Sequence, residues 1–393
     1  MAPATAAAEM KREASPVRPH CAREFAEIGF RADFDDGAPY WDESVRYVFR
    51  LDEIEQDIEK AAEELHGLCL HLVDKVARSE RELARLRIPE HAWPLIAESW
   101  RRRDPSLYGR FDLSYDGRHP PKLLEYNADT PTSLYEAAVV QWRWLEQLVA
   151  NADLPDDSDQ FTSAHEKLIA RFAKICGGEF LHLACMAAAS DDAGTLAYLE
   201  DCARQAGLRT ASLDMSQIGL ARDRFVDPSG RRIAQLFKLY PWEWMLADDF
   251  GRSPAMTTTR FLEPPWKIIL NNKGALALLW EMAPHHPNLL ECYFEADREA
   301  ESLRRYARKP LFSREGFDVE LKDGAATLRG RSDGYGAEGY VRQALRPLPE
   351  FEGRYPVVGA WIVGDEAAGM GLREDATPIT TDRARFVPHA IIG

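Results

Sequence analysis

Several things are scarce or missing in this sequence. No apolar run is long enough to cross a bilayer as a helix, which excludes a membrane-spanning helix. Cysteine is sparse: Cys21, Cys69, Cys176, Cys185, Cys202 and Cys292 are scattered without a CxxC pair. That excludes a disulfide scaffold or structural zinc site and implies reduced, mostly buried thiols in the cytoplasm. Positive charge is short, with 49 Lys and Arg against 64 Asp and Glu and a net charge of -15. Nucleic-acid binding needs a cationic footprint and is therefore not expected. A cationic small partner would gain from the long-range field, although an acidic surface also serves solubility. Neither GxxxxGK[ST] nor GxGxxG occurs, so no P-loop and no dinucleotide fingerprint is present. The first twenty residues, MAPATAAAEMKREASPVRPH, lack an apolar h-region and are expected to be a disordered tail.

What remains is ample for a folded core. The chain has 393 residues, 45% of them hydrophobic, enough for two or three lobes. Residues from Leu51 to about Ala84 repeat apolar positions at helical spacing, with His66 and His71 as surface or packing residues. GRFDLSY and KLLEYN flank a DGRHPP turn and predict a hairpin from Gly109 to Asn127. A helix after Pro131 is expected to bury Leu134, Ala138, Trp142 and Leu145. FLHLACMAAA, GTLAYLEDCARQAG, LRTASLDM and RRIAQLFKLY read as strand, helix, strand and strand, a small Rossmann-like lobe. EPPWKIILNNKGALALLWEM reads as a strand leading into a helix, followed by glycine-separated strands including PVVGAWIV and AAGMGLRE.

Chemistry concentrates in the hairpin. Side chains alternate along a strand, so Arg110 and Asp112 share one face, as do Glu125 and Asn127 on the return strand. A turn centred near Gly117 to His119 sets Asp112 opposite Glu125 and Arg110 opposite Asn127, with Phe111, Leu113, Leu124 and Tyr126 on the other face. Two carboxylates and an amide oxygen form a hard-oxygen set suited to Mg²⁺; an exposed polar face would carry the same pattern. Phosphates in an acidic protein need local cations. Lys273 closes the apolar run KIILNNK, Lys309 and Arg314 bracket KPLFSREG, and Arg373 comes late in the last hairpin. Gly334, Gly336 and Gly339 supply a loop able to turn backbone N–H groups toward phosphates, and it is the expected lid.

The blocks GRFDLSYDG, KLLEYNADTPTSLYEAAVVQW, EPPWKIILNNK, KPLFSREG, YVRQALRPLP and VVGAWIVGDEAAGMGLRED together resemble the glutathionylspermidine synthase family, in its synthetase part. The resemblance runs from about residue 25 to the C-terminus. It implies an α/β, ATP-grasp fold with a Rossmann-like pre-ATP-grasp lobe, and amide formation through an acyl phosphate with ATP and two Mg²⁺ ions. The divisions it implies are a tail over 1–20, an N-terminal lobe bearing the metal and acid-substrate hairpin over 21–160, the pre-ATP-grasp lobe over 161–260 and the nucleotide lobe over 261–393. By match to the family's motifs, Asp112, Glu125 and Asn127 are metal ligands, and Lys273, Lys309 and Gln343 contact the nucleotide. Arg110, Arg314 and Arg373 lie at the reacting centre, and Thr130, Thr132 and Glu136 lie near the acid substrate. The implied partners are a small carboxylate such as glutathione and an amine such as a polyamine. Thr130 and Thr132 stand where longer members carry serine, and the Asp112–Glu125 spacing is one residue longer. No cysteine has a context suggesting the amidase activity of those members, so product hydrolysis is not expected. Three other readings use parts of this pattern: a ligase for a different peptide or amino acid, a nucleotide-binding regulator without catalysis, and a metalloprotein using His285 and His286 of the loop APHHPN.

Overall fold

The computed structural model describes residues 10–19, 21–34, 36–186 and 190–393. The sheet that carries the hairpin has five strands, ordered 385–387, 366–375, 355–363, 108–114 and 122–127. Its hairpin pairs Arg110 with Asn127 and Asp112 with Glu125, the register expected from the alternation. The other face fits less simply. A bulge after Asp112 sets Leu113 against Leu123, so Leu123 is buried and Leu124 is displaced to line a cavity instead of the core. Phe111 and Tyr126 stack with ring centroids 3.9 Å apart, fixing the buried side of the hairpin. On its other edge the strand 108–114 pairs with 355–363, which sets Gly359 beside Asp112. A Cβ at Gly359 would meet Arg110 Cδ at 2.8 Å, so the glycine makes room for that guanidinium.

The Rossmann-like unit is a parallel four-stranded sheet, ordered 260–262, 235–239, 181–185 and 210–214. Its central strands are buried along their whole length, as strands covered on both faces must be. The helix Ser190–Gln205 returns the chain, and Gly207 at φ +84° turns it into the next strand. Ala187 to Ala189, at the end of the expected strand, lie outside the described residues. A second five-stranded sheet, ordered 292–294, 340–344, 305–310, 320–323 and 326–329, is antiparallel throughout. It faces the hairpin across the cavity described below.

Four expectations need correction. The tail is not disordered throughout: Lys11–Ala14 form a strand paired with Val45–Phe49, while residues 1–9 and 20 lie outside the described residues. Arg12 forks onto Glu374 through Nε and Nη2, both at 2.9 Å, and Tyr47 donates to the same carboxylate at 2.8 Å. The segment from Leu51 is not one helix. A π-helical stretch Glu53–Glu59 runs into Lys60–Val76, and a break precedes Glu80–Arg85, where Ser79 accepts from the Glu82 N–H. After Pro131, a π-helical stretch Glu136–Val140 shifts the helical phase, so Trp144 is buried while Trp142 is exposed. Finally, KIILN is helical, not a strand: Pro265–Lys267 form a 3₁₀ turn, and Ile268–Asn271 and Gly274–Met282 follow as helices. A proline in the first turn starts a helix readily, and a short apolar run does not distinguish the two states. Among the described residues no helix is long and apolar enough to cross a membrane.

Candidate active site

One cavity of about 330 Å³ collects most of the residues singled out in the sequence. Arg110, Asp112, Glu125, Asn127, Thr130, Thr132, Lys273, Lys309, Arg314, Gln343 and Arg373 all line it. Glu136 does not. It lies aside, accepting from the Tyr40 hydroxyl at 2.8 Å. Gly334, Gly336 and Gly339 are also not among the lining residues, whereas Val319 and, from the hairpin 320–329, Leu321 and Leu328 are. His285 and His286 occupy a loop, with His285 edge-on to Trp280, and no group of three His, Cys, Asp or Glu able to hold a metal occurs among the described residues.

The polar lining of the cavity is a dense network. Arg110, buried, forks onto Asp112 through Nε at 2.6 Å and Nη2 at 3.1 Å, and its Nη1 donates to the Thr132 carbonyl at 2.5 Å. Asp112 Oδ2 also accepts from Arg373 Nη2 at 2.7 Å and Asn127 Nδ2 at 3.1 Å. The same Asn127 amide reaches Glu125 Oε1 at 3.3 Å, so one small group spans both carboxylates. Lys273 Nζ lies 3.1 Å from Glu125 Oε2 and donates to the Ser313 carbonyl. Lys309 Nζ donates to the Leu124 carbonyl and to Gln343 Oε1, both at 2.8 Å, and Gln343 in turn donates to the Leu123 carbonyl. The displaced Leu124 therefore supplies a carbonyl that fixes Lys309, a consequence of the bulge.

Burial opposes ionisation of Glu125, but Lys273 and Lys309 outweigh it and hold the carboxyl well below its ordinary value. Burial pulls the Lys309 ammonium down to about 8, with Glu125 resisting and Lys273 adding to the fall. Arg373 is lowered by burial and by the neighbouring Arg110. Cationic Arg110, Lys273, Lys309, Arg314, Arg346 and Arg373 outnumber the carboxylates of Asp112, Glu125, Glu315 and Asp323 around the cavity, in a chain of net charge -15. Such a local surplus attracts a polyanion. Leu290, Leu321, Leu328, Leu345, Leu348 and Ile379 supply apolar lining to the same cavity. A cavity lined by both surplus cations and apolar side chains can accept a ligand with phosphate and ring parts, such as a nucleotide.

The match to known sequences is decisive for kinship. Residues 12–392 match the family described as glutathionylspermidine synthase preATP-grasp. The chain belongs to this family. Among its relatives, a Haemophilus influenzae protein provisionally named an acid–amine ligase is 42% identical over 393 residues, covering 96% of this chain and 98% of that one. The trypanothione synthetase of Crithidia fasciculata is 27% identical, with 81% of this chain matching 52% of that protein. The bifunctional glutathionylspermidine synthetase/amidase of Escherichia coli is 28% identical, with 88% matching 59%. The chain thus spans little more than half of these two longer relatives. A glutathione-synthetase-like effector of Globodera pallida, solved in its apo form, shares the fold at a TM-score of 0.52 and 12% identity, covering 88% of this chain and 89% of the other. The family member described here is an ATP-dependent carbon–nitrogen ligase of ATP-grasp fold.

Sequence reasoning assigned no role to Glu243, Asp129 or Lys238. The Arg314 guanidinium donates from Nη1 to Thr130 Oγ1 at 2.8 Å and from Nη2 to Glu243 Oε1 at 3.2 Å. Asp129, wholly buried, accepts from Lys238 Nζ at 2.7 Å and from the Trp242 N–H at 2.8 Å. The buried lysine in KLY was a usable signal, because a lysine inside a run of strand residues needs a carboxylate partner.

Proposed function

We propose that this protein joins a carboxylate to an amine through an acyl phosphate, with a peptide such as glutathione as the acid and a polyamine as the amine. The substrate classes come from the names of its relatives. The observation that supports the chemistry is the convergence of Arg110, Arg373, Arg314, Lys273 and Lys309 on one cavity that also has apolar lining.

In this reading Lys273, Lys309 and Gln343 hold the nucleotide, and residues 261–393 form its lobe beside a pre-ATP-grasp lobe over 161–260. Asp112, Glu125 and Asn127 would hold Mg²⁺, as a pair of ions by resemblance to the family. The donor set fits: the Asn127 amide reaches a carboxylate oxygen of Asp112 and of Glu125 together, so a cation in its place meets both, and turning the amide presents its oxygen. Bound there, magnesium supplies neutralising charge to phosphoryl oxygens.

Arg110 and Arg373 share Asp112 at a position where a second anion would relieve their mutual repulsion. Arg314 reaches Thr130 and so brings a cation to the acid-substrate side. Thr130 and Thr132 orient the acid, and Glu136 stands behind them on Tyr40. As a carboxylate oxygen bonds to the γ-phosphorus and the bond to the departing ADP breaks, charge is spread over the equatorial oxygens, and preorganised guanidinium groups stabilise that state more than the ground state. The amine nitrogen then bonds to the acyl carbon, the carbon–oxygen bond to phosphate breaks, and the nitrogen's proton is released. Water must be kept out meanwhile, and the hairpin 320–329 lies where it can cover the cavity.

The test is a mass-spectrometric screen of glutathione and other peptides against a set of amines with ATP and Mg²⁺, alongside phosphate release. Amide product and phosphate release that require both acid and amine are expected. ATP cleavage indifferent to either substrate would overturn the reading.

A further inference from the structure

The parallel-sheet lobe lies outside every role assigned so far, yet it reaches the reacting centre through one side chain. Glu243 stands in the short helix Trp242–Ala247, directly after the central strand 235–239. Its Oε1 accepts from Arg314 Nη2 at 3.2 Å. Its Oε2 is buried without a hydrogen-bond partner, and so is Arg314 Nε. These two orphans are complementary: a guanidinium fork places Nε and Nη2 on the two oxygens of one carboxylate. The fork is incomplete here because Nη1 is tethered on the other side, to Thr130 Oγ1.

Both tethers belong to one rigid piece. Asp129, next to Thr130, accepts from Lys238 Nζ and from the Trp242 N–H, next to Glu243. Lys238 also donates to the Tyr240 carbonyl at 2.9 Å and lies over the Trp242 ring at 4.4 Å. Asp129 and Lys238 are fully buried, so the distance between Thr130 and Glu243 is set by packing that solvent does not loosen. Arg314 comes from a different sheet, just past the strand Arg305–Pro310, and is stretched between the two.

We propose that Glu243 is a positioning residue for Arg314, completing its fork when a phosphoryl oxygen draws Nη1 away from Thr130. With Nε and Nη2 then fixed on Glu243, the remaining edge of the guanidinium is aimed at the transferring group and cannot swing aside. Because the fork closes only as the phosphoryl group is engaged, the contribution falls mainly on the transition state. The inference rests on the ligase reading above, which sets Arg314 at that group.

The experiment uses the full chain with Mg²⁺ and two probes: AMP-PNP for the ground state, and ADP with aluminium fluoride for phosphoryl transfer. Glu243→Gln, Arg314→Lys and the double variant are titrated calorimetrically, with binding stoichiometry reporting the folded fraction. Glu243→Gln should weaken the aluminium fluoride complex by about tenfold or more while AMP-PNP affinity stays within about twofold. The double variant should bind no worse than Arg314→Lys alone, because the glutamate acts through the arginine. Additive losses, or an unchanged aluminium fluoride affinity in Glu243→Gln, overturn the proposal. Should Glu243→Gln fail to fold, Glu243→Asp, which keeps the charge but shortens the reach, is read by the same two criteria. A wild-type protein that binds neither probe overturns the ligase reading itself, whereas normal wild-type binding with additive variants overturns only the role of Glu243.

Discussion

Replacing Lys309 with methionine separates a lysine kept for stability from one kept for its ligand. Its Nζ serves two acceptors, the Leu124 carbonyl and Gln343 Oε1, at 2.8 Å each. Stripping the donor from buried acceptors costs about 1–3 kcal/mol apiece. Against that, the fall of the ammonium from 10.5 to about 8 means the buried charge itself costs roughly 3 kcal/mol, and methionine relieves it. The two effects largely offset, so folding stability should change by between about 1 kcal/mol gained and about 3 kcal/mol lost. Nucleotide affinity has no such offset. A charge-assisted contact to phosphate is worth about 1.5–3 kcal/mol, so ATP should bind about ten- to a hundredfold more weakly. The pH dependence has opposite signs for the two properties. Between about 8 and 10.5 the unfolded chain holds the Lys309 proton that the folded chain has lost, so this group's contribution to stability rises with pH. Over the same interval the charge needed by phosphate disappears, and affinity should fall by up to about tenfold per pH unit. Glu125, Lys273, Cys292 and Asp112 surround the amine and take part in setting where the fall begins. Lys309→Arg keeps its charge and should flatten the profile. Calorimetric titration of ATP and urea unfolding across this range test both signs. An affinity that stays level above pH 8 in the wild type, or falls equally in Lys309→Arg, refutes the reasoning.

Three further outcomes are expected. Glu125→Gln should lose turnover at limiting Mg²⁺ while remaining folded; because the carboxyl is held below its ordinary 4.5, its stabilising contribution is present above that pH and lost on acidification, so the variant's unfolding should be less acid-sensitive than the wild type's. Arg314→Lys keeps the charge but loses the fork to Thr130 and Glu243, and should lower kcat by about two orders of magnitude, about 3 kcal/mol, with ATP affinity little changed in steady-state and titration measurements. Lys238→Met leaves the Asp129 charge buried without its cation, and should cost about 3–5 kcal/mol in urea unfolding, at or above the top of the range for Lys309→Met.

The polar face of the hairpin was legible because period-two alternation and a DG turn fix its register as far as Asp112 and Glu125. Asp112 opposite Glu125 and Arg110 opposite Asn127 follow from that alone. The bulge at Leu124 did not follow, since an extra residue leaves no mark in the alternation until the ladder is seen. Ile268 and Ile269 suggested a strand by β-branching, and the prolines before them, which favour a helix start, carried the better signal. The strand Lys11–Ala14 was hidden by an Ala- and Pro-rich context; what orders it is Arg12 meeting Glu374 at the other end of the chain. Glu243 was invisible for the same reason. Its meaning lies in Arg314 and Thr130, which only the tertiary fold brings beside it.

The place of the strand 108–114 between 122–127 and 355–363 has a consequence for how the protein is made. On the ribosome the hairpin 108–127 emerges well before residues 355–363, which supply the ladder on its second edge. Until then Arg110 and Asp112 sit on an open strand edge, without the Gly359 that makes room for one or the Arg373 that pairs with the other. Pairing so distant in sequence is slow to form and leaves an exposed edge in the meantime. Nascent chains stalled before Tyr355 should therefore lack nucleotide affinity and be prone to aggregate, while release of the full chain restores both binding and solubility.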